Sequence, residues 1–356
     1  MSDVLVVGAG IIGASIAYHC AKAGAKVHVV DNDGIGKGAS GKSFGWINAS
    51  FAESDAYFAL RHKAIDEHRA LARELDIDQT TQWNGCIWWE DEGNDFWDQA
   101  RELTRRAYPH EIIETDKIHQ LEPNLACPPA HAILTKHEGA ANGTGLSNAL
   151  LANVIAGDGK VSTDTKVLGI LRDGENVVGV KTNKGDLFAD NIIIAVGAAS
   201  ETLLATAEIN LPMDNQRGII LQTTPTKPLI NHIIMSTDVH FRQDPDGRFT
   251  MGEIFSGGGL NDAVDKDVDA FAARMLARLH ARLPAAKDVE ISHIHQGLRP
   301  VPKDGFPAIG AIGGLYVATM HSGITLAPLV GKMAAQEILH GHTEKMLAEF
   351  RPNRFA

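Results

Sequence analysis

Gly8, Gly10 and Gly13 stand in the order G-x-G-x-x-G, and Asp31 follows 18 residues after the last of them. Glycines at this spacing do separate jobs. The first allows a tight turn, the second lets backbone approach a pyrophosphate, and the third lets a helix pack close to a strand. The free amides at the helix start then face phosphate, with the helix dipole favouring its charge. The flanks complete the pattern: the apolar run Val4–Val7 leads into the glycines, and a second run, Val27–Val30, ends at Asp31. Strand, turn, helix, strand and acid together point to a dinucleotide.

Other residues have types that could do chemistry. His240 and Arg242 lie two apart on an expected strand and so share a face. Facing inward they would add polar or cationic groups suited to a second carboxylate on a substrate; facing outward they would form a solvated edge. His293 and His295 also share a strand face, but no third ligand or supporting shell accompanies them, so no metal site is expected. The tryptophans at 83, 88, 89 and 97 are read as core or interface residues.

Elements must position these groups. After Asp31 a small-residue stretch, Gly34–Ser43, is flexible enough to lie against a ligand. Helical patterning follows over Tyr57–Leu75, then a tryptophan-rich strand around Trp83–Glu90, and helices over Phe96–Ala107, Asp116–Leu125 and Thr144–Ala156. Three strand-like segments come next, Lys166–Leu171, Asn176–Thr182 and Leu187–Val196, the last apolar enough to return to a buried parallel sheet. From about Leu211 to Ile291 alternating strands surround one helix, Asp265–Leu283, as in an antiparallel layer inserted into the first domain. The strand Leu315–Thr319, the turn Met320–Gly323 and a helix through Leu339 return the chain to α/β.

Composition narrows the partners. The chain has 356 residues, 44% of them hydrophobic, with 33 Lys and Arg against 44 Asp and Glu, a formal charge of −11. That balance argues against nucleic acid or an anionic membrane. No apolar run reaches the roughly 18 residues a membrane span needs. Cys20, Cys86 and Cys127 are odd in number and far apart, which gives no disulfide framework. The first strand starts within a few residues of Met1, leaving no room for a signal peptide, so the expected compartment is the cytoplasm.

The C-terminal third is more specific. Gly297-Leu298-Arg299-Pro300-Val301-Pro302-Lys303-Asp304-Gly305-Phe306-Pro307-Ala308-Ile309-Gly310 closely resembles the G-L-R-P…D-G-x-P-x-I-G segment of glycine oxidase and the wider D-amino-acid oxidase family. Gly323-Ile324-Thr325-Leu326-Ala327-Pro328-Leu329-Val330-Gly331 resembles that family's final flavin-contacting turn and helix. Ile192–Gly197 is similar to its A-x-G segment, and Lys166-Val167 to the place where such proteins pass the adenine. With the N-terminal motif, the matches run in family order across nearly the whole chain.

The resemblance implies an α/β fold: a Rossmann-type FAD-binding domain with an inserted, mostly antiparallel α+β substrate domain. Residues 1–80, 135–210 and 292–356 would form the first, and 81–134 and 211–291 the second. It implies an FAD-dependent oxidoreductase that oxidises the Cα–N bond of an amino acid or secondary amine by hydride transfer to flavin N5, giving an imine that hydrolyses. The alternative is a flavin-bearing dehydrogenase subunit of an opine- or hydroxyproline-type complex, passing electrons to a partner. The cofactor-binding set would be Gly8, Gly10, Gly13, Asp31, Ser40, Lys42, Ser43, Val167, Gly197, Gly323, Ile324, Thr325 and Leu326. Amides at Gly323–Leu326 would aim at the flavin N1–C2=O edge and stabilise the reduced form.

Arg299 would hold the substrate carboxylate, since a planar guanidinium fixes position and orientation through two parallel hydrogen bonds. His321 stands where relatives can carry an Arg before Asn-Gly, and His240 falls where relatives place a tyrosine over the substrate. With Arg299, His321 and His240 as catalytic candidates, an inward Arg242 would favour a larger or doubly acidic amine over glycine. Some covalently flavinylated relatives have a histidine near residue 45, where this chain has Phe44-Gly45-Trp46. Sarcosine oxidases have a cysteine before the last helix, and here the three cysteines are elsewhere. The FAD is therefore expected to be non-covalent. Partners would be a small amine or amino-acid substrate and a homo-oligomer or partner subunits, without nucleic acid or a membrane span.

Overall fold

The computed structural model describes residues 2–75, 80–89, 93–252 and 267–356. The α-helices among them, in chain order, are α1 (Ile11–Lys22), α2 (Asp55–Leu75), α3 (Gly93–Arg105), α4 (Thr115–Leu121), α5 (Gly143–Ala156), α6 (Ser200–Ala205), α7 (Val268–Arg282) and α8 (Gly323–His340). The chain divides into two compact units, Met1–Thr81 with Ala141–Gln216 and Leu298–Ala356, and Gln82–Ala140 with Arg217–Gly297.

The first unit is built on a six-stranded sheet. Its spatial order is Ala308–Ile312, Leu315–Thr319, Asn191–Ile194, Asp3–Val7, Lys26–Val30 and Lys160–Ser162. All neighbours pair in parallel except the first two. Val4, Val6 and Val7 face Val27, Val29 and Val30 in register. All six are buried, as continuous apolar strands must be when helices cover both faces. Helices α1 and α8 pack closely because Gly331 has no side chain: a Cβ there would lie 2.1 Å from Ser15 Oγ. Ser15 Oγ also donates to Ala327 O at 2.7 Å.

One expected strand is two. Residues Leu187–Val196 read as a single run, but Gly185–Phe188 belongs to a three-stranded antiparallel ribbon with Val167–Asp173 and Asn176–Thr182. Asn191–Ile194 alone enters the parallel sheet. The break falls at Ala189-Asp190, where the Asp190 carboxylate accepts from the Asp3 amide at 2.9 Å. An acid anchored at the sheet margin ends one ladder and starts the next.

The second unit holds an eight-stranded sheet in the order Ile291–Arg299, Gln216–Thr223, Phe249–Gly252, His240–Gln243, Ile233–Met235, Cys86–Trp88, His131–Thr135 and Glu111–Glu114. Leu298 and Arg299, at the end of the first strand named, belong to the first unit. Phe241, Phe249, Met251, Phe271, Met275 and Leu279 form part of its apolar core, which places α7 against the sheet. Asp267 caps α7 by accepting from the amides of Asp269 and Ala270. The expected start of this helix at Asp265 lies outside the described residues, as does Glu90 at the end of the tryptophan-rich strand. Helix α4 stops at Leu121, short of the expected Leu125, because Glu122 precedes Pro123 and a residue before proline avoids helical geometry. The buried Glu122 carboxylate then accepts from the amides of Asn231 and His232 and pairs with His232 Nδ1 at 2.6 Å.

Candidate functional site

The glycine turn is assembled from several loops. Gly8 has φ +110°, and a Cβ on it would sit 2.3 Å from Ala195 O; a Cβ on Gly13 would sit 1.9 Å from Gly8 O. Backbone packing alone demands glycine at both. Gly10 differs, for a Cβ there would meet only Ser40 Oγ, at 3.2 Å. Ser40 Oγ accepts from the Ile11 amide at 2.9 Å, and the first turn of α1 carries no acid. With no acid beside them, the amides of the helix start that Ser40 does not take suit an anion.

Asp31 ties the turn together. One carboxylate oxygen accepts from Ala9 N at 2.7 Å and the other from Asp33 N and Gly34 N at 2.9 and 2.8 Å. Thr165 N donates to Asp31 O at 2.8 Å, so the chain just before Val167 runs beside the acid. Val167 itself is half-buried and packs on the apolar cluster of the ribbon side. Lys42 ends the short turn Ala39–Lys42, and Ser43 Oγ accepts from Gly45 N at 3.0 Å. Gly197 is left-handed at φ +55°, with its carbonyl taken by Ser200 Oγ at 2.7 Å and Thr319 Oγ1 at 3.4 Å.

At the C-terminal turn, Gly323 N donates to His321 O at 2.8 Å and Leu326 N to Ser322 O at 3.0 Å. The expectation that amides at the helix start, Gly323–Leu326, face a ligand narrows here to two of them. The outer two are used in starting α8, and among the described residues only those of Ile324 and Thr325 lack an acceptor. A Cβ on Gly323 would meet nothing closer than Ile12 Cγ1 at 3.5 Å, an ordinary contact. The protein's own packing does not require glycine there, which is what a position kept clear for a flat ligand would look like.

Helix α2 supplies groups that sequence reasoning missed. Its buried stripe includes Tyr57, Arg61 and His68. Burial raises the pKa of the Tyr57 hydroxyl, with Ser322 near enough to act on it. Arg61 donates Nε to Asn48 O at 3.1 Å and its other nitrogens to Asn48 Oδ1 and Phe51 O, with the guanidinium over the Tyr57 ring. His68 Nε2 lies 2.7 Å from Ile324 O. The one signal was a cation and a histidine standing on an otherwise apolar helical stripe.

The charge of Arg299 acts on His321. His321 is exposed, and the protein around the turn, with the like charge of Arg299 and Arg61, holds its pKa below the ordinary value, so the ring is neutral at neutral pH. Arg299 is half-buried, and burial lowers its pKa as well.

His240 and Arg242 are both buried, on a strand flanked on each side by another, so the reading as a solvated edge is overturned. Arg242 is paired with Asp244, which also accepts from Thr250 Oγ1 at 2.5 Å. Its charge is matched within its own sheet, which removes the argument for a second substrate carboxylate from that residue. His293 and His295 stack, with ring centroids 6.1 Å apart. Among the described residues no group of three or more His, Cys, Asp or Glu could hold a metal ion.

The residues in the first unit therefore fit a dinucleotide carrying a flat ring: a phosphate-ready helix start, an acid beside it, and a clear glycine before two open amides. Comparison with known proteins agrees. The chain is 27% identical to a glycine oxidase of Pseudomonas aeruginosa over 93% of each chain. It is 23% identical to one of the opine oxidase subunits of Rhizobium meliloti, over 99% of this chain and 97% of the relative. Its fold superposes on the crystal structure of glycine oxidase from Geobacillus kaustophilus with a TM-score of 0.87, 23% identity and complete coverage of both chains. The family described as DAO, FAD dependent oxidoreductase, matches residues 3–337, so nearly the whole chain belongs to that family and its cofactor is FAD.

Proposed function

We propose that this protein oxidises the carbon–nitrogen bond of an amino acid or a carboxylate-bearing secondary amine, with Arg299 holding the carboxylate. The observation that carries the reading is the turn before α8, where His321 feels the Arg299 charge and the Ile324 and Thr325 amides are open. When bound, FAD supplies the acceptor for a hydride from the substrate carbon, leaving an imine that water hydrolyses. In this reading the first unit is the FAD-binding domain and the second the substrate domain.

The chain's own groups then have these tasks. Amides at Gly10, Ile12 and Gly13 face the pyrophosphate, the Ile11 amide being held by Ser40, with Ser40, Lys42 and Ser43 on the loop beside it. Asp31 meets ribose hydroxyls with the lone pairs its backbone partners leave, and Val167 lies along the adenine. Gly197 and Gly323 keep backbone close to the ring. The Ile324 and Thr325 amides, rather than those of Gly323 and Leu326, stabilise negative charge at its edge. Arg299 fixes the carboxylate, and the uncharged His321 adds a hydrogen bond without repelling an amine. Arg61 is committed to Asn48 and Phe51. His240, buried on its strand, is kept as a further catalytic candidate.

Non-covalent FAD is supported by Phe44-Gly45-Trp46 and by the free state of all three cysteines, two of them buried. Among the described residues no helix is long and apolar enough to cross a membrane, and the free cysteines suit a cytoplasmic protein. A second reading, a dehydrogenase subunit that hands electrons to a partner, is favoured by the likeness to the Rhizobium meliloti opine oxidase.

Anaerobic mixing with D-amino acids, N-alkyl glycines and N-carboxyalkyl amino acids, followed by flavin bleaching, tests the substrate class. Bleaching by none of them removes the proposal. Slow reoxidation of the bleached protein by oxygen selects the dehydrogenase reading.

A further inference from the structure

Helix α8 contains a proline, Pro328, in its second turn. In a regular helix the amide of residue 328 donates to the carbonyl of residue 324, but proline has no amide hydrogen, and its ring crowds that carbonyl. Ile324 is buried, and a buried carbonyl left without a donor is costly. His68 reaches it from α2: Nε2 lies 2.7 Å from Ile324 O, and His68 is only 1% exposed. A carbonyl accepts only, so Nε2 carries the hydrogen.

The same peptide unit that ends in the Ile324 carbonyl begins the Thr325 amide. A trans peptide is planar, with its C=O and N–H pointing in opposite directions. Gripping the oxygen on the α2 side therefore aims the Thr325 N–H away from α2. That amide is one of the two that lack an acceptor among the described residues.

We infer that His68 is a positioning residue for the flavin: by replacing the helix hydrogen bond that Pro328 cannot make, it orients the Ile324–Thr325 peptide toward the flavin edge. The inference rests on the reading of this turn as the one that faces FAD. It explains a polar side chain deep on an apolar stripe, 256 residues from its partner.

The test uses the FAD-loaded protein and measures the flavin midpoint potential and FAD affinity, with thermal unfolding of the flavin-free protein alongside. His68→Leu is expected to weaken the preference for reduced over oxidised flavin about tenfold, a potential about 30 mV more negative. His68→Gln, which keeps an N–H donor, is expected to stay near wild type. Adding Pro328→Ala to His68→Leu restores an amide that can donate to Ile324 O, and the potential is expected to return. Gly323→Ala serves as the control for the underlying reading and is expected to weaken FAD binding.

If His68→Leu lowers the unfolding temperature but leaves the potential unchanged while Gly323→Ala weakens FAD, the turn faces the flavin and His68 does not position it. If neither variant alters the flavin, the reading of the turn fails and the inference falls with it. Should His68→Leu yield no folded protein, recovery of folded, flavin-bearing protein on adding Pro328→Ala supports the inference, and no recovery overturns it.

Discussion

Arginines 61, 242 and 299 have the same chemistry and three different settings. Arg61 is held by the Asn48 and Phe51 backbone and the Asn48 amide, Arg242 is matched by Asp244, and the Arg299 charge acts on His321 at the open turn. Arg299→Leu is expected to retain FAD yet lose kcat/KM by the equivalent of about 2–5 kcal/mol, as for a partly desolvated charge pair. Arg299→Lys is expected to recover only part, because an ammonium lacks the fork; steady-state kinetics and flavin absorbance check both. His68 carries a second residue-scale expectation. Burial lowers its pKa to about 4 from 6.5. Between those values the unfolded chain binds the proton and the folded chain does not, so stability falls as pH drops from 6.5 toward 4. The loss from this one group is roughly 3 kcal/mol. His68→Gln keeps a donor but cannot take the proton, and denaturant titrations at several pH values are expected to give a flatter acid limb. Arg299 was legible from its motif; Arg61 and His68 were not, because their partners lie on distant loops and turns that no local pattern reveals.

Helix α8 shows how an element is fixed by what it omits. Gly331 omits a side chain so that α1 can approach, and Pro328 omits an amide that another helix replaces. Gly331→Val is expected to cost about 2–4 kcal/mol or to prevent folding, because its Cβ would meet Ser15 backbone carbon at 2.7 Å as well as the hydroxyl. Urea denaturation measures it. The helices and the first βαβ unit were readable from periodicity, whereas the cap of α5, Asn142 accepting from Gly145 N, emerged only in the structure. The split of Leu187–Val196 was not, because an uninterrupted apolar run carries no sign of which sheet each half joins. Burial of His240 and Arg242 was hidden for a related reason: a polar pair on a strand looks solvated until its neighbours in the sheet are known.

At the scale of the whole molecule, the first unit is drawn from three separate stretches of chain. The residues assigned to FAD come from all three, from Gly8 to Leu326. Ser15 and Ala327, bonded across 312 residues, are typical of how late its core can close. Chains rich in such distant contacts fold slowly, and a ligand that bridges the stretches stabilises the assembled state by mass action. FAD at about 100 times its dissociation constant is expected to add about 2.7 kcal/mol. Differential scanning calorimetry of apoprotein with increasing FAD reads this as a concentration-dependent rise in melting temperature; a temperature independent of FAD would contradict it. The order of the motifs along the chain made the parallel sheet legible, but the eight-stranded order of the second unit was not, since its neighbours are far apart in sequence.

The glycines of the first unit fall into two kinds by what a side chain would meet. At 8, 13 and 331 the chain collides with itself if a methyl group is added, whereas at 10 and 323 it meets one movable hydroxyl or ordinary apolar contacts. Alanine at 323 even improves helix propensity. In a saturation library sorted once by protein abundance and again by flavin fluorescence, the first three positions are expected to be intolerant in both sorts and the last two only in the second. The difference between the two tolerance profiles would trace the outline of the cofactor on the protein without a bound structure.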